Sequence, residues 1–338
     1  MRTLVYTAPH EVTLEDREHS RPTSGECEIA VAAAGICGSD ISGFLGHSRR
    51  RIPPLVLGHE LVGRRTSDGE RVVANPLISC GRCTACLSGA QNLCESWRLL
   101  GMDQTDGCYQ EYVNVPETQV FEIPDELSDA QAVVAEPLAN IVHLFRIAAP
   151  LPFFRMGIVG GGTMGSLALL TAKRLGARDV LVQDVSEVRL ASVRKMGATL
   201  AANVGTEAGR ENAKRFAGRG LDLVLDASGA GQARQAAFDL CRPGGLVVLL
   251  GMGQERSEID FVTSIRKEHR VSMSFAYTPA DFAQSLKLLA EGEVDLRPWT
   301  AELPLEEGQQ AFDRMTKTPG DTLKMVLRVS RSSQPPRV

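Results

Sequence analysis

Residues 157–170 read GIVGGGTMGSLALL, a short apolar run that breaks into glycines and continues in helix-forming residues. Gly160, Gly162 and Gly165 fall in G-x-G-x-x-G order. Between a strand and a helix, the first glycine permits a tight turn and the second lets backbone approach a pyrophosphate. The third lets the helix pack closely on the strand. Thr163 and Met164 then open the helix, where N–H groups and the helix dipole favour an anion. Asp184 closes the next strand, DVLVQD, 19 residues after Gly165, a position suited to the ribose hydroxyls of a dinucleotide. A carboxylate there repels a 2′-phosphate, so NAD is expected in preference to NADP. Arg189, in the following helix, is either a contact to the ribose or diphosphate or a solvated helix arginine. Ser228, after the strand in LDLVLDASG, is a further candidate for cofactor contact.

The rest of the chain supports an α/β fold. Residues 1 to about 140 form short apolar or alternating runs punctuated by Gly, Pro and Asp, which predicts a β-rich domain. From there strands alternate with longer helical patterns, as a doubly wound parallel sheet requires. A helix is expected over Pro279–Glu291, followed by a strand in DTLKMVLRV that rejoins the first region. The expected division is therefore 1–140, 141–276 and 277–338, with the tail SRSSQPPRV frayed. At 338 residues, two domains are the ordinary expectation.

A net charge of −4 offers no basic field for nucleic acid or anionic membrane, and no apolar run reaches the roughly 18 residues of a span. No secretory signal pattern is present. A cytoplasmic location and small-molecule partners are expected. In a reducing compartment eight cysteines are not expected to pair, so their spacing is read for metal. Cys80, Cys83, Cys86 and Cys94 lie within fifteen residues, suiting one closed tetrahedral zinc with a structural role.

A second donor set is mixed. GICGSDISGFLGHSRRRIPPLVLGHE supplies Cys37, His59 and Glu60, with Glu136 in VVAEPLANIVH. About three protein ligands and one open position are what a catalytic zinc needs. Arg49, Arg50 and Arg51 precede the histidine and read as a solvated loop or as partners for another subunit's acidic residues, in preference to a pocket rim that would bind an anionic substrate.

GICGSD, GHE, the four-cysteine lobe, AEPL, the glycine turn and the acidic strand end occur in an order that resembles the medium-chain, zinc-dependent alcohol dehydrogenase superfamily. The resemblance implies a GroES-like β-rich catalytic domain and a Rossmann domain of doubly wound parallel sheet. It also implies two zinc ions per chain, NAD(H), and a homodimer or homotetramer, for which the GGLVVLLGMG segment is the expected sheet edge. Cys37 and His59 would ligate the catalytic zinc, with Glu60 or Glu136 supplying or supporting the third ligand. Asp40 would orient the histidine and Ser39 would take the substrate proton. Glu136 stands where enzymes for primary alcohols carry a cysteine, so the chain is similar to the polyol and threonine dehydrogenase branch. Ser42 occupies the place of the usual relay histidine; the relay then falls to the nicotinamide ribose and water or to His47, which reads first as a solvated loop residue.

Overall fold

The computed structural model describes residues 1–330; the end of the tail expected to fray lies outside them. The chain forms two compact units, one built from Met1–Glu136 with the chain from Thr278, the other from Pro137–Tyr277. The division falls inside the helix Ala135–Ala148, a few residues before position 140.

The first unit is β-rich. Its larger sheet runs Val120–Glu122, Arg71–Ala74, Glu60–Arg65, Glu26–Ile36, Lys324–Arg328 and Thr300–Pro304, with Tyr112–Pro116 also paired to Glu26–Ile36. Alternation drives this arrangement: in Glu26–Ile36, Cys27, Ile29 and Val31 are buried while their neighbours are partly exposed. A three-stranded sheet of Glu11–Asp16, Arg2–Ala8 and Leu55–Val56 lies in the same unit. Leu4, Ile29, Leu55, Tyr109 and Phe312 share one core, in which Phe44 stacks on Phe312 at 4.8 Å. The helix Pro279–Ala290 starts at a capping box in which Thr278 and Asp281 satisfy each other's backbone N–H groups.

The second unit is a six-stranded parallel sheet. Numbered along the chain, its strands lie in the order 3-2-1-4-5-6, the dinucleotide-binding order. The first strand is Arg155–Val159 and the second Asp179–Asp184. Their residues are buried almost throughout, as expected of strands covered on both faces. The GGLVVLLGMG expectation is corrected here. Its strand, Cys241–Leu249, is fifth of six and internal; the edge on that side is Arg270–Met273, and the other is Leu200–Asn203. Continuous apolarity marks a strand flanked on both sides, whereas the edge alternates, with Val271 and Met273 exposed. Among the described residues no helix is long and apolar enough to cross a membrane.

Candidate metal and nucleotide sites

Strand register assembles the first site. Gly35 pairs with Glu60 across antiparallel strands, which sets the end of one strand, and Cys37 just beyond it, beside His59 and Glu60. Cys37 is the N-cap of the helix Gly38–Phe44, and its backbone N–H donates to Asp40 Oδ2 at 3.1 Å. One ligand atom each from Cys37, His59 and Glu60 lies within 4.8 Å of the others. Glu136, in the first turn of Ala135–Ala148, stands outside that close group but acts electrostatically on both Glu60 and Lys324.

Asp40 is fully buried and organises the site from behind. Its Oδ2 also lies 3.0 Å from Tyr109 Oη, and its Oδ1 lies 3.4 Å from both His59 Nδ1 and Arg51 Nε. Burial works against ionisation of Asp40, but His59 and then Arg51 outweigh it and hold the carboxyl well below its usual range. Burial likewise disfavours charge on His59, yet Asp40 and Cys37 raise its pKa far above the ordinary value. The pocket around this imidazole therefore attracts positive charge.

That field fits a divalent ion. Cys37, His59 and Glu60 offer one sulfur, one nitrogen and one oxygen donor to a common point, and such a mixed set suits zinc.

Sequence reasoning missed Lys324. This lysine is 2% exposed, and its Nζ donates to both Glu60 oxygens at 2.7 Å and to Ile36 O at 3.3 Å. Burial would strip its proton, but the charge on Glu60 outweighs that and raises its pKa. A single lysine in the apolar run LKMVL was the available signal, since a buried ammonium needs a partner. Tyr109 was also missed.

The arginine expectation is corrected in part. Arg50 does lie outside, over the Trp97 ring at 4.2 Å and hydrogen-bonded to Asp103 at 2.9 Å. Arg51 is 5% exposed and donates from Nη2 to Ser39 Oγ at 3.0 Å, so it is not solvated. Loop position alone did not reveal that its side chain turns inward. His47 is exposed, and its backbone N–H donates to Ser42 O at 2.9 Å.

Cys80, Cys83, Cys86 and Cys94 have their sulfurs within 4.8 Å of one another, and none is in a disulfide. Backbone N–H groups of Arg82 and Cys83 lower the Cys80 thiol to about 6, whereas burial pushes Cys86 up to about 11. The amides thus stabilise a thiolate, the form that binds metal, and the four-sulfur set fits one closed zinc site.

In the second unit Gly160 takes φ 108° and donates its N–H to Gln183 O at 2.8 Å. Gly161 N–H donates to Asp184 Oδ2 at 2.7 Å, and Ser186 N–H to Oδ1 at 2.9 Å, so the carboxylate is held against the turn. A Cβ on Gly165 would lie 1.8 Å from Gly160 O, whereas one on Gly162 would meet nothing within 4 Å. Gly165 serves helix packing, and Gly162 leaves open the cradle that a pyrophosphate would fill. Thr163 and Met164 begin the helix Thr163–Arg174. Ser228 lies against the turn, 3.3 Å from where a Gly160 Cβ would stand, and its N–H donates to Asp226 Oδ1. Arg189 is exposed, with Nη1 3.7 Å from Asp184 Oδ2.

Residues 23–125 match the alcohol dehydrogenase GroES-like domain, and residues 163–291 match the zinc-binding dehydrogenase family. A probable D-xylulose reductase A of Emericella nidulans is 31% identical over 323 residues, 90% of each chain. An L-threonine 3-dehydrogenase of Deinococcus deserti is 30% identical over 94% of this chain and 95% of its own. An E. coli CFT073 alcohol dehydrogenase solved with NADH superimposes with TM-score 0.89 at 26% identity, covering 97% and 99% of the chains. A zinc-binding dehydrogenase of Sinorhizobium meliloti 1021 bound to NADP gives 0.87 at 26%, with the same coverage.

Proposed function

From a chain that belongs to the medium-chain, zinc-dependent alcohol dehydrogenase superfamily, we infer an NAD-dependent enzyme that interconverts a secondary alcohol and a ketone. The convergence of Cys37, His59 and Glu60 on one point carries this reading. Zinc bound there would polarise a substrate hydroxyl, and nicotinamide bound by the second unit would accept the hydride. Cys37, His59 and Glu60 would hold the ion, with Glu136 in reserve as a nearby carboxylate. Asp40 keeps the His59 ring turned so that Nδ1 faces the carboxylate and the other nitrogen is left for the ion. Lys324 holds Glu60 in place. Ser39 Oγ takes the proton released by the substrate.

Similarity to a D-xylulose reductase supports a neutral polyol or sugar alcohol as the substrate class. The Asp184 carboxylate at the nucleotide cradle supports NAD over NADP. The four-cysteine lobe supports a second, structural zinc, in a chain assigned to the cytoplasm, where thiols stay reduced. A homodimer through the Arg270–Met273 edge, alone or within a tetramer, is supported by exposed Val271 and Met273.

The test is NADH formation across neutral polyols, sugar phosphates, aminocyclitols and L-threonine, with zinc determined on the same sample. Turnover of a polyol, two zincs per chain, and loss of turnover in Cys37→Ala are expected. Preference for a sugar phosphate would overturn the neutral-polyol reading. Zinc-free protein without turnover would overturn the enzyme reading in favour of a silent NAD-binding protein. Sedimentation tests the oligomer, and a lone monomer rejects it.

A further inference from the structure

Arg51 is built into the site with more care than a surface loop needs. The Ser48 hydroxyl accepts from the backbone N–H groups of Arg50 and Arg51 at 3.3 and 3.2 Å, fixing the bend at which the second arginine turns inward. Its stem then passes Gly43, where a Cβ would stand 2.7 Å from Arg51 Cδ. Only a glycine leaves that path open. A guanidinium removed from water is unfavourable unless its donors are used. A purely structural ion pair would close on Asp40, yet Nε stands 3.4 Å from Oδ1 and is left without a hydrogen bond. The short contact is instead the one from Nη2 to Ser39 Oγ at 3.0 Å.

We propose that Arg51 is a positioning residue that orients the Ser39 hydroxyl for proton transfer and places a fixed positive charge beside it. A hydroxyl has one proton and two lone pairs. Arg51 occupies one lone pair. The other receives the substrate proton as the hydroxyl's own proton departs to water, so protons and charge balance. Arg51 cannot carry the proton itself, because guanidinium does not deprotonate near neutrality. Neither Ser42 nor exposed His47 is required for this orientation.

The proposal rests on the dehydrogenase reading, and its test separates the two. Kinetics on the full-length, zinc-loaded enzyme compare Arg51→Met, Ser39→Ala and the double variant. Arg51→Met is expected to lower kcat about tenfold to a hundredfold while KM changes by less than about threefold. On the residual rate of Ser39→Ala, the same substitution is expected to change kcat by less than about twofold. An undiminished effect in the Ser39→Ala background, or a wild-type kcat in Arg51→Met, overturns the proposal. Gly43→Ala serves as the second variant: it keeps every charge but displaces the arginine stem, and it should reproduce the kcat loss.

A second readout needs no turnover. In chelator-treated full-length protein, alkylation of the Cys37 peptide by iodoacetate and by iodoacetamide is followed by mass spectrometry, which separates it from the freed four-cysteine lobe, and the ratio of the two rates reports local charge. Arg51→Met should lower that ratio about fivefold. An unchanged ratio overturns the charge placement even if wild-type protein proves to have no dehydrogenase activity, the result that would defeat the functional reading.

Discussion

Glu60 and Lys324 are 264 residues apart in sequence, and both are buried. Replacing the lysine leaves a carboxylate without its cation in low dielectric, a far worse state than never having formed the pair. Lys324→Ala is expected to destabilise the protein by about 3 kcal/mol, measured by urea unfolding. Zinc content should fall with it, because Glu60 is no longer held. Legibility followed distance along the chain. Cys37, His59 and Glu60 sit in one stretch, so they could be read as a donor set from spacing, whereas Ser39 and Asp40 were placed only by the family resemblance. Lys324 reaches the same place through strand pairing and Tyr109 through a bend bonded to the backbone of Leu4 and Leu57, and spacing says nothing of either. Arg51 was near in sequence yet misjudged, since a loop's composition does not reveal which side chain turns inward; the glycine at position 43 that admits it looked like any turn residue.

The strand–glycine turn–helix element separates folding from binding at neighbouring glycines. Gly165→Ala drives a methyl into the Gly160 carbonyl, so both stability and NADH affinity should fall. Gly162→Ala meets nothing in the protein, so its thermal midpoint should match wild type while NADH dissociates at least about tenfold more readily. Calorimetry and NADH fluorescence titration check the pair. A pH effect belongs to the same sheet. Burial works against ionisation of Asp222, but the Arg155 backbone N–H at 2.8 Å and Arg242 Nε at 2.7 Å outweigh it and lower its pKa from 3.8. A depressed carboxyl pKa stabilises the fold above the unfolded value and ceases to do so as pH falls through the folded one. Stability should therefore decline below about pH 4, and Asp222→Asn should flatten that decline in acid unfolding curves. At this scale the elements and their parallel order were legible from alternating strand and helix patterns. The sheet edge was not, because an apolar run records burial without recording which neighbour provides it.

On the scale of the whole molecule, the nucleotide unit is one continuous stretch and the metal-site unit is two stretches joined by the pairing of Lys324–Arg328 with Glu26–Ile36. Residues 137–277 possess their own core of Leu181, Val224, Phe238 and Val247. Expressed alone, they are expected to unfold cooperatively and bind NADH, as circular dichroism and fluorescence would show. Residues 1–136 alone lack both Lys324 and its strand, and they are expected to retain no zinc at the Cys37 site.

The same connectivity sets an order for synthesis. A ribosome makes Cys37, His59 and Glu60 early and Lys324 only after the complete nucleotide unit has left the exit tunnel. During that interval the nascent chain exposes a thiol and two carboxylates whose cation does not yet exist. An ion captured at this site would therefore be held only once synthesis is nearly done, and interrupted translation would yield chains with a complete nucleotide unit but no finished place for that ion.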